Sequence, residues 1–184
     1  MAKNRKQKKQ EEESNLLEKT IYINRVAKVV KGGRRFNFTA MVVAGDGEGN
    51  VGFGFGKANQ VPDAIKKASD KARISLKKCP IVDGTVPHIV QGHYGASKVL
   101  LRPASPGTGV IASSTVRSLL DAAGYSNVLT KVIGSNNTHN VVKATMDALS
   151  KLESPEDYAH RLGKSLDDVM ANYTVGAHVW GSRS

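Results

Sequence analysis

The sequence predicts an α+β protein in two units. The first is an N-terminal three-stranded antiparallel sheet with one packed helix, over residues 16–80. The second is a C-terminal βαβ-type α/β layer over 81–170, and tails at 1–15 and 171–184 flank the pair. Three observations lead there. Apolar residues keep a period of two from Leu17 to Lys57, the spacing of alternate side chains on a strand. Beyond that stretch, helical stripes and strand-like runs alternate, which implies an α/β layer. Glycine, proline and asparagine clusters punctuate both patterns.

The first strand begins at Leu17, with Ile21 and Ile23 on one side and Tyr22, Val26 and Val30 on the other. Lys31-Gly32-Gly33-Arg34 follows, and then Phe36, Phe38, Ala40, Val42 and Ala44 resume the alternation. This is a hairpin with Gly-Gly at its tip. Residues 45–57, GDGEGNVGFGFGK, raise the question of a phosphate-cradling loop, and the spacing answers it. A P-loop would need glycine at Val51 and a hydroxyl at Ala58, and a calcium loop starting at Asp46 would need glycine at Val51 and glutamate at Lys57. What remains is a turn, Asp46–Asn50, feeding a third strand. In it Val51, Phe53 and Phe55 face one way and Gly52, Gly54 and Gly56 the other. A strand face bare of side chains marks close approach by another backbone or a ligand.

Val61-Pro62-Asp63 then opens a helix, with proline in its first turn and an acid at the positive end of the dipole. Val61, Ile65, Ala68, Ala72 and Leu76 form its apolar stripe, and Pro80 stops it. In the second unit His88–Gln91 and Lys98–Arg102 read as strands joined through Gly92–Gly95, and Pro103–Gly109 breaks regular structure. A helix over 110–123 carries Ala112, Val116, Leu119, Leu120 and Ala123 on one stripe, with Gly124 as its stop. Val128–Ile133 is a strand, 134–140 a polar loop and Val141–Leu152 a helix; a further helical piece begins at Pro155.

Composition narrows the function. The 184 residues carry a formal charge of +11, and such an excess favours partners with dense negative charge, above all nucleic acid. The excess is placed rather than spread. No acid occurs between Glu18 and Asp46, and from Gly84 to Met146 Asp121 is the only one. Aromatic residues make up 5% of the chain, so small and β-branched residues must do most of the packing. Cys79 is the single cysteine and reads as an inert small hydrophobe. No apolar run is long enough to span a bilayer, and MAKNRKQKKQEEE lacks the apolar core of a signal peptide, so a reducing, cytosol-like compartment is expected. The histidines show no metal-ligand spacing, no nucleophile elbow is present and no paired carboxylates sit in an apolar setting. Catalysis has no candidate, and no cofactor or metal is expected.

The candidate RNA-binding residues fall in three places. Arg25, Lys28, Lys31, Gly32, Gly33, Arg34 and Arg35 crowd the hairpin, a thin ribbon that glycine lets enter a narrow space. Lys57 closes the third strand. Two loops, PASPGTG with Ser105 and Thr108 and GSNNTHN with Ser135 and Asn136, each set small polar residues before a helix N-terminus, where N–H groups and the dipole favour an anion; Lys131 is basic nearby. Ordinary capping explains the same loop residues too, and for any single one of them it is the reading more to be expected.

These residues resemble the small-subunit ribosomal protein S-five family of bacterial type. The similarity is carried by Asn24–Phe36, Val51–Ala58 with Val61-Pro62, Pro103-Ala104 with Gly107–Gly109, and Gly134-Ser135 with Asn140–Val142, in order from Leu17 to Val169. Asn137-Thr138 and Ser113-Ser114 depart from the family's usual Asn-Pro and glycines. The resemblance implies an N-terminal fold like a double-stranded-RNA-binding domain and a structural, non-enzymatic role in a cytoplasmic ribosome. Implied partners are small-subunit rRNA near the neck, ribosomal proteins S-four and S-eight, and mRNA where it enters the subunit. It also implies that Val26, Ala27, Lys28 and Gly33 hold the hairpin positions tied to spectinomycin sensitivity. Gly109 and Arg117 would meet S-four at an interface linked to translational accuracy. Two other classes stand beside this: a free-standing duplex-RNA binder, which lacks here the Gly-Pro-x-His loop typical of such domains, and a nucleotide-dependent enzyme, which the failed motifs disfavour.

Overall fold

The structure is a computed structural model that describes residues 16–169, so both predicted tails lie outside the described residues. Strands β1 (Leu17–Val30), β2 (Gly33–Gly45) and β3 (Asn50–Ala58) form the expected antiparallel meander. A two-residue piece, β4 (Lys77–Lys78), adds a fourth strand to it beside Asn50 and Val51. The chain leaves the helix α1 (Val61–Ile74) at that point and pairs briefly as it passes the β3 edge. A bulge between Thr20 and Tyr22 accounts for the phase shift in the apolar pattern of β1.

The bare face of β3 is where α1 sits. A Cβ added at Gly52, Gly54 or Gly56 would lie 2.4, 1.9 or 2.0 Å from the carbonyl oxygens of Ala72, Ala68 and Ala64. The helix backbone therefore rests directly on the strand backbone. That spacing keeps Ala68 and Ala72 of the predicted stripe and corrects the rest. The residues driven inward are Ala64, Ala68 and Ala72, all fully buried, because nothing larger fits over glycine. Ile65 packs at the margin, Val61 and Leu76 are half-buried, and Ile74 is exposed. Ser75 fastens the helix end, its hydroxyl donating to the Phe53 carbonyl and accepting from the Phe53 amide.

The second sheet has the order β5-β6-β8-β7, from β5 (Val90–Tyr94), β6 (Ser97–Pro103), β7 (Val110–Ile111) and β8 (Val128–Gly134). Its helices are α2 (Ser114–Ala123) and α3 (Thr138–Ser150), followed by α4 (Pro155–Leu162). The βαβ unit is β7–α2–β8, the one parallel pairing; β5, β6 and β8 are antiparallel. Three boundaries differ from the sequence expectation. Residues 110–111 pair with Val128 and Leu129, so the helix starts at Ser114 rather than 110. β5 runs on through Gly92, and the turn is the tight Gly95-Ala96. Gly92 is tolerated in the strand because α3 lies on it, with the Ala144 carbonyl 2.0 Å from where a Cβ would be. Finally α3 begins at Thr138, three residues early, because the Asn137 side chain accepts from the His139 amide and caps it.

One continuous core joins the two sheets. Met41, Val43 and Val51, from the β1–β3 face opposite α1, pack with Val86, Val99, Leu101, Leu119, Val128 and Leu149. The GDGEGN turn completes the seam. The Gly47 and Gly49 amides donate at 3.0 and 2.9 Å to the Ala122 and Ala123 carbonyls, the orphan acceptors at the C-terminus of α2. Asp46 shapes the turn by accepting from the Glu48 and Asn50 amides. Gly124, at φ +95°, would place a Cβ 1.9 Å from the Gly47 carbonyl. Cys79 is buried beside this seam, and burial pushes its thiol up to about 11, as suits an inert core residue.

Gly54→Ala is expected to lower the unfolding free energy of the full chain by about 2–3 kcal/mol or more, because backbone rather than a mobile side chain occupies the space. Gly32→Ala, with nothing within 4 Å, should shift it by under about 0.5 kcal/mol. Equal thermal midpoints for the two variants would show that α1 is not seated on the glycine face.

Candidate nucleic-acid interface

Beyond Phe38 the two long strands leave the sheet and continue as an exposed ribbon, because no described helix reaches that far. Its two-residue tip is Lys31-Gly32, not Gly32-Gly33: Val30 pairs with Gly33, which opens β2 at φ +136°. That backbone conformation suits glycine alone, whereas Gly32 is not so constrained.

The register sorts the predicted residues by face. Cross-strand partners share a face, so Arg25, Ala27, Val29, Arg34 and Phe36 stand on the side that continues the α1 face. Val26, Lys28, Arg35 and Asn37 stand on the other, which continues the side packed on the second unit. Lys57, paired with Thr39, belongs to that second side at the ribbon's root. Cations thus project from both faces and, through Lys31, from the tip. No acidic residue lies on the ribbon. Arg25 is the one ribbon cation with a described partner, its guanidinium 3.7 Å from the centre of the Phe36 ring.

The base of β1 is held on both flanks. Glu18 pairs with Arg73 of α1 at 2.8 Å, and Lys19 with Asp121 of α2 at 3.4 Å. Both pairs are exposed and individually worth little. The ring of His139, in the first turn of α3, meets Phe55 edge-on with centroids 5.7 Å apart. This contact brings the Ser135–Asn136 loop to the root of the ribbon, on the side of Lys57.

The loops do not form one patch. Ser135 follows the end of β8 that pairs with Ser97, whereas Ser105 and Thr108 lie beyond the end that pairs with Pro103. The seven residues of β8, at about 3.3 Å each, put roughly 20 Å between them. The Ser105–Thr108 loop also precedes β7 rather than a helix, so it lacks the predicted helix dipole. It is shaped instead by a turn from the Thr108 amide to the Ser105 carbonyl and by a bond from the Gly109 amide to Asn127. Ser135 is engaged structurally: its amide donates to Ala96, its carbonyl accepts from the Ser97 hydroxyl and its hydroxyl from the Asn137 amide. Asn136 is exposed. Gly109 is half-buried, and Arg117 is exposed on α2.

Lys131 stands on the helix-free face of the second sheet. Lys98, Arg102 and His93 share that face, and no acid does. Of these four, Lys131 is the one the sequence singles out as an RNA contact, while Lys98 and Arg102 belong to the same acid-free basic stretch. The alternation of Lys98, Leu100 and Arg102 with buried Ser97, Val99 and Leu101 was the available signal that puts Lys98 and Arg102 on one face. Among the described residues no group of three metal-ligating side chains occurs, and no helix is long and apolar enough to cross a membrane.

Two models of one family match the chain: ribosomal protein S5, N-terminal domain, over residues 16–80, and ribosomal protein S5, C-terminal domain, over residues 92–162. The chain is also similar to two curated proteins named small ribosomal subunit protein uS5. The one from Lawsonia intracellularis is 51% identical over 158 residues, 86% of this chain and 97% of the relative. The one from Syntrophobacter fumaroxidans is 53% identical over 154 residues, 84% of this chain and 93% of the relative.

Burial, and then the nearby Lys143 ammonium, hold the His139 imidazole below its ordinary 6.5. The folded chain therefore favours the neutral ring. The stability this confers is complete above the unfolded value and is lost as pH falls from about 6.5 through the lower folded value. His139→Gln should flatten the pH dependence of the thermal midpoint in that window; an unchanged profile would place the titration elsewhere.

Proposed function

The chain belongs to the ribosomal protein S5 family, and from that premise we propose that it grips small-subunit rRNA with the 25–35 ribbon near the neck. It is a structural, non-enzymatic protein of the small ribosomal subunit. The observation that carries the ribbon reading is cationic side chains on both faces and the tip of a two-stranded projection with no acid. A single basic face would suit docking on one surface, whereas cations on two faces suit insertion between RNA segments. RNA of this kind is read through shape and backbone, and backbone neutralisation makes affinity salt-dependent.

Lys57, Ser135 and Asn136 extend the contact at the ribbon's root on one face. Lys131 acts from the open face of the second sheet, and Ser105 and Thr108 touch RNA at a separate point. Val26, Ala27, Lys28 and Gly33 hold the positions linked to spectinomycin sensitivity. Gly33 is the most constrained of them, because its φ fixes how β2 leaves the tip. Gly109 and Arg117 face protein S-four and through it bear on translational accuracy. Protein S-eight and mRNA where it enters the subunit complete the partners. The cytoplasmic ribosome of a bacterium is the setting the two relatives support.

Replacing Lys28, Lys31, Arg34 and Arg35 by glutamine should reduce the slope of log affinity against log salt for small-subunit rRNA. The reduction should be roughly 0.7–0.9 for each phosphate that the ribbon no longer neutralises. An undiminished slope would remove the ribbon from the interface. Arg117→Ala should change misreading frequency while leaving the thermal midpoint within about 2 °C, as for an exposed side chain; a large fall in midpoint would make the residue structural.

A further inference from the structure

We infer that Arg25 and Phe36 together form a stacking seat for one unpaired nucleobase, on the α1-side face of the ribbon. This rests on the reading of the ribbon as an RNA contact and adds a chemistry that reading does not contain. The two faces of the ribbon differ. The Lys28–Arg35 face offers cations beside Val26 and Asn37, a surface for phosphates. The opposite face offers a guanidinium laid on an aromatic ring, with apolar side chains around it.

At 3.7 Å from the ring centre the Arg25 guanidinium is in face contact with Phe36. A guanidinium is planar and weakly hydrated above and below its plane, so its second face is a stacking surface held in place by the first. Beside it Ala27 pairs directly with Phe36, and Val29 pairs with Arg34. Val29 is 75% exposed and Phe36 44% exposed, on a strand pair that no described element covers. Phosphate binding gives no reason to present a valine and a phenylalanine to water. An aromatic base gives one, because it would cover the apolar floor while stacking on the guanidinium. Arg34, on the same face, is placed to meet the phosphate of that nucleotide. A paired base has both faces occupied within its helix, so the occupant is a nucleotide turned out of a stack.

The test compares small subunits reconstituted with the full-length wild-type chain, Arg25→Lys or Phe36→Leu. Lysine keeps the charge without the plane, and leucine keeps apolar area without the ring. Each particle is probed for 2′-hydroxyl acylation and for hydroxyl-radical cleavage of the rRNA backbone. The expected result is an unpaired nucleotide, quiet towards acylation with the wild-type chain, that becomes roughly fivefold or more reactive with both variants, the lower end of what one stacked base is worth. Radical protection of the neighbouring backbone should persist. Unchanged acylation with protection intact would overturn the seat and leave the phosphate contact standing. Loss of backbone protection with Arg25→Lys would also overturn it, by showing that Arg25 acts as a phosphate fork. No protection by the wild-type ribbon would remove the ribbon contact itself, and the seat with it.

Discussion

Contact of backbone on backbone at glycine is the constraint on which the fold depends. Along residues 45–56 a single added Cβ at Gly45, Gly52, Gly54 or Gly56 would fall within 2.4 Å of a carbonyl of α1 or α2. The sheet is thus clamped between two helices, α1 against β3 on one side and α2 against the end of β2 on the other. The same device recurs where α3 crosses Gly92 and where Gly124 meets the β2–β3 turn. Close approach brings many atoms to contact distance without any large side chain, which is how a chain so poor in aromatics reaches interior packing density. It also leaves little room to give, since the obstructing atoms belong to helix backbone.

That stiffness is what the ribbon needs. The inner half of β2, Thr39–Gly45, is buried between α1 and the second unit, while the outer half stands in solvent beyond both. A projection rooted in this way has one end of its backbone fixed by packing, so the RNA contact proposed for it would cost less conformational entropy. Glycine acts again at the ribbon's far end. Gly33, at φ +136°, sets the exit of β2, and the two-residue tip keeps the ribbon only two strands wide.

The layered pattern was legible because it rests on local chemistry. Period-two alternation located β1, β2 and β3, and Pro62 and Gly124 marked helix ends as they do in the structure. The glycine alternation in β3 announced a close approach but not its source. Choosing between a helix and a ligand required the face opposite Phe53 and Phe55, which only the completed sheet defines. Of the expected α1 stripe Ala68 and Ala72 face the sheet, but Ala64 rather than Val61 or Ile65 joins them, because large residues dominate a hydrophobicity pattern while the glycine surface selects for smallness. β7 was illegible for a different reason. Two residues carry no period, and their strand character comes from distant Val128 and Leu129. At the candidate interface the ribbon cluster could be read directly from its sequence neighbours. The separation of the two polar loops, roughly 20 Å, could not, because the antiparallel register of β6 and β8 sends them to opposite ends of one sheet.

The distribution of phenylalanine connects the packing device to the interface. None of the four belongs to the fully buried core: Phe53 and Phe55 sit half-buried at the seam between units, Phe38 at the ribbon's root, and Phe36 out on the ribbon. In most small domains rings of this size are the main filler of the interior. Here the aliphatic side chains of the shared core, the ring of Tyr125 and glycine-on-alanine contact fill that role, and Phe55 reaches across the seam to His139. Phe36 is therefore not explained by the core at all. Arg25 covers one side of it, and neither residue would be placed so by folding alone, since an exposed cation–π pair contributes on the order of 0.5–1 kcal/mol. What the pair does provide is orientation. A guanidinium held on a ring points its fork and its free face in one direction, which is the geometry that the proposed stacking seat requires.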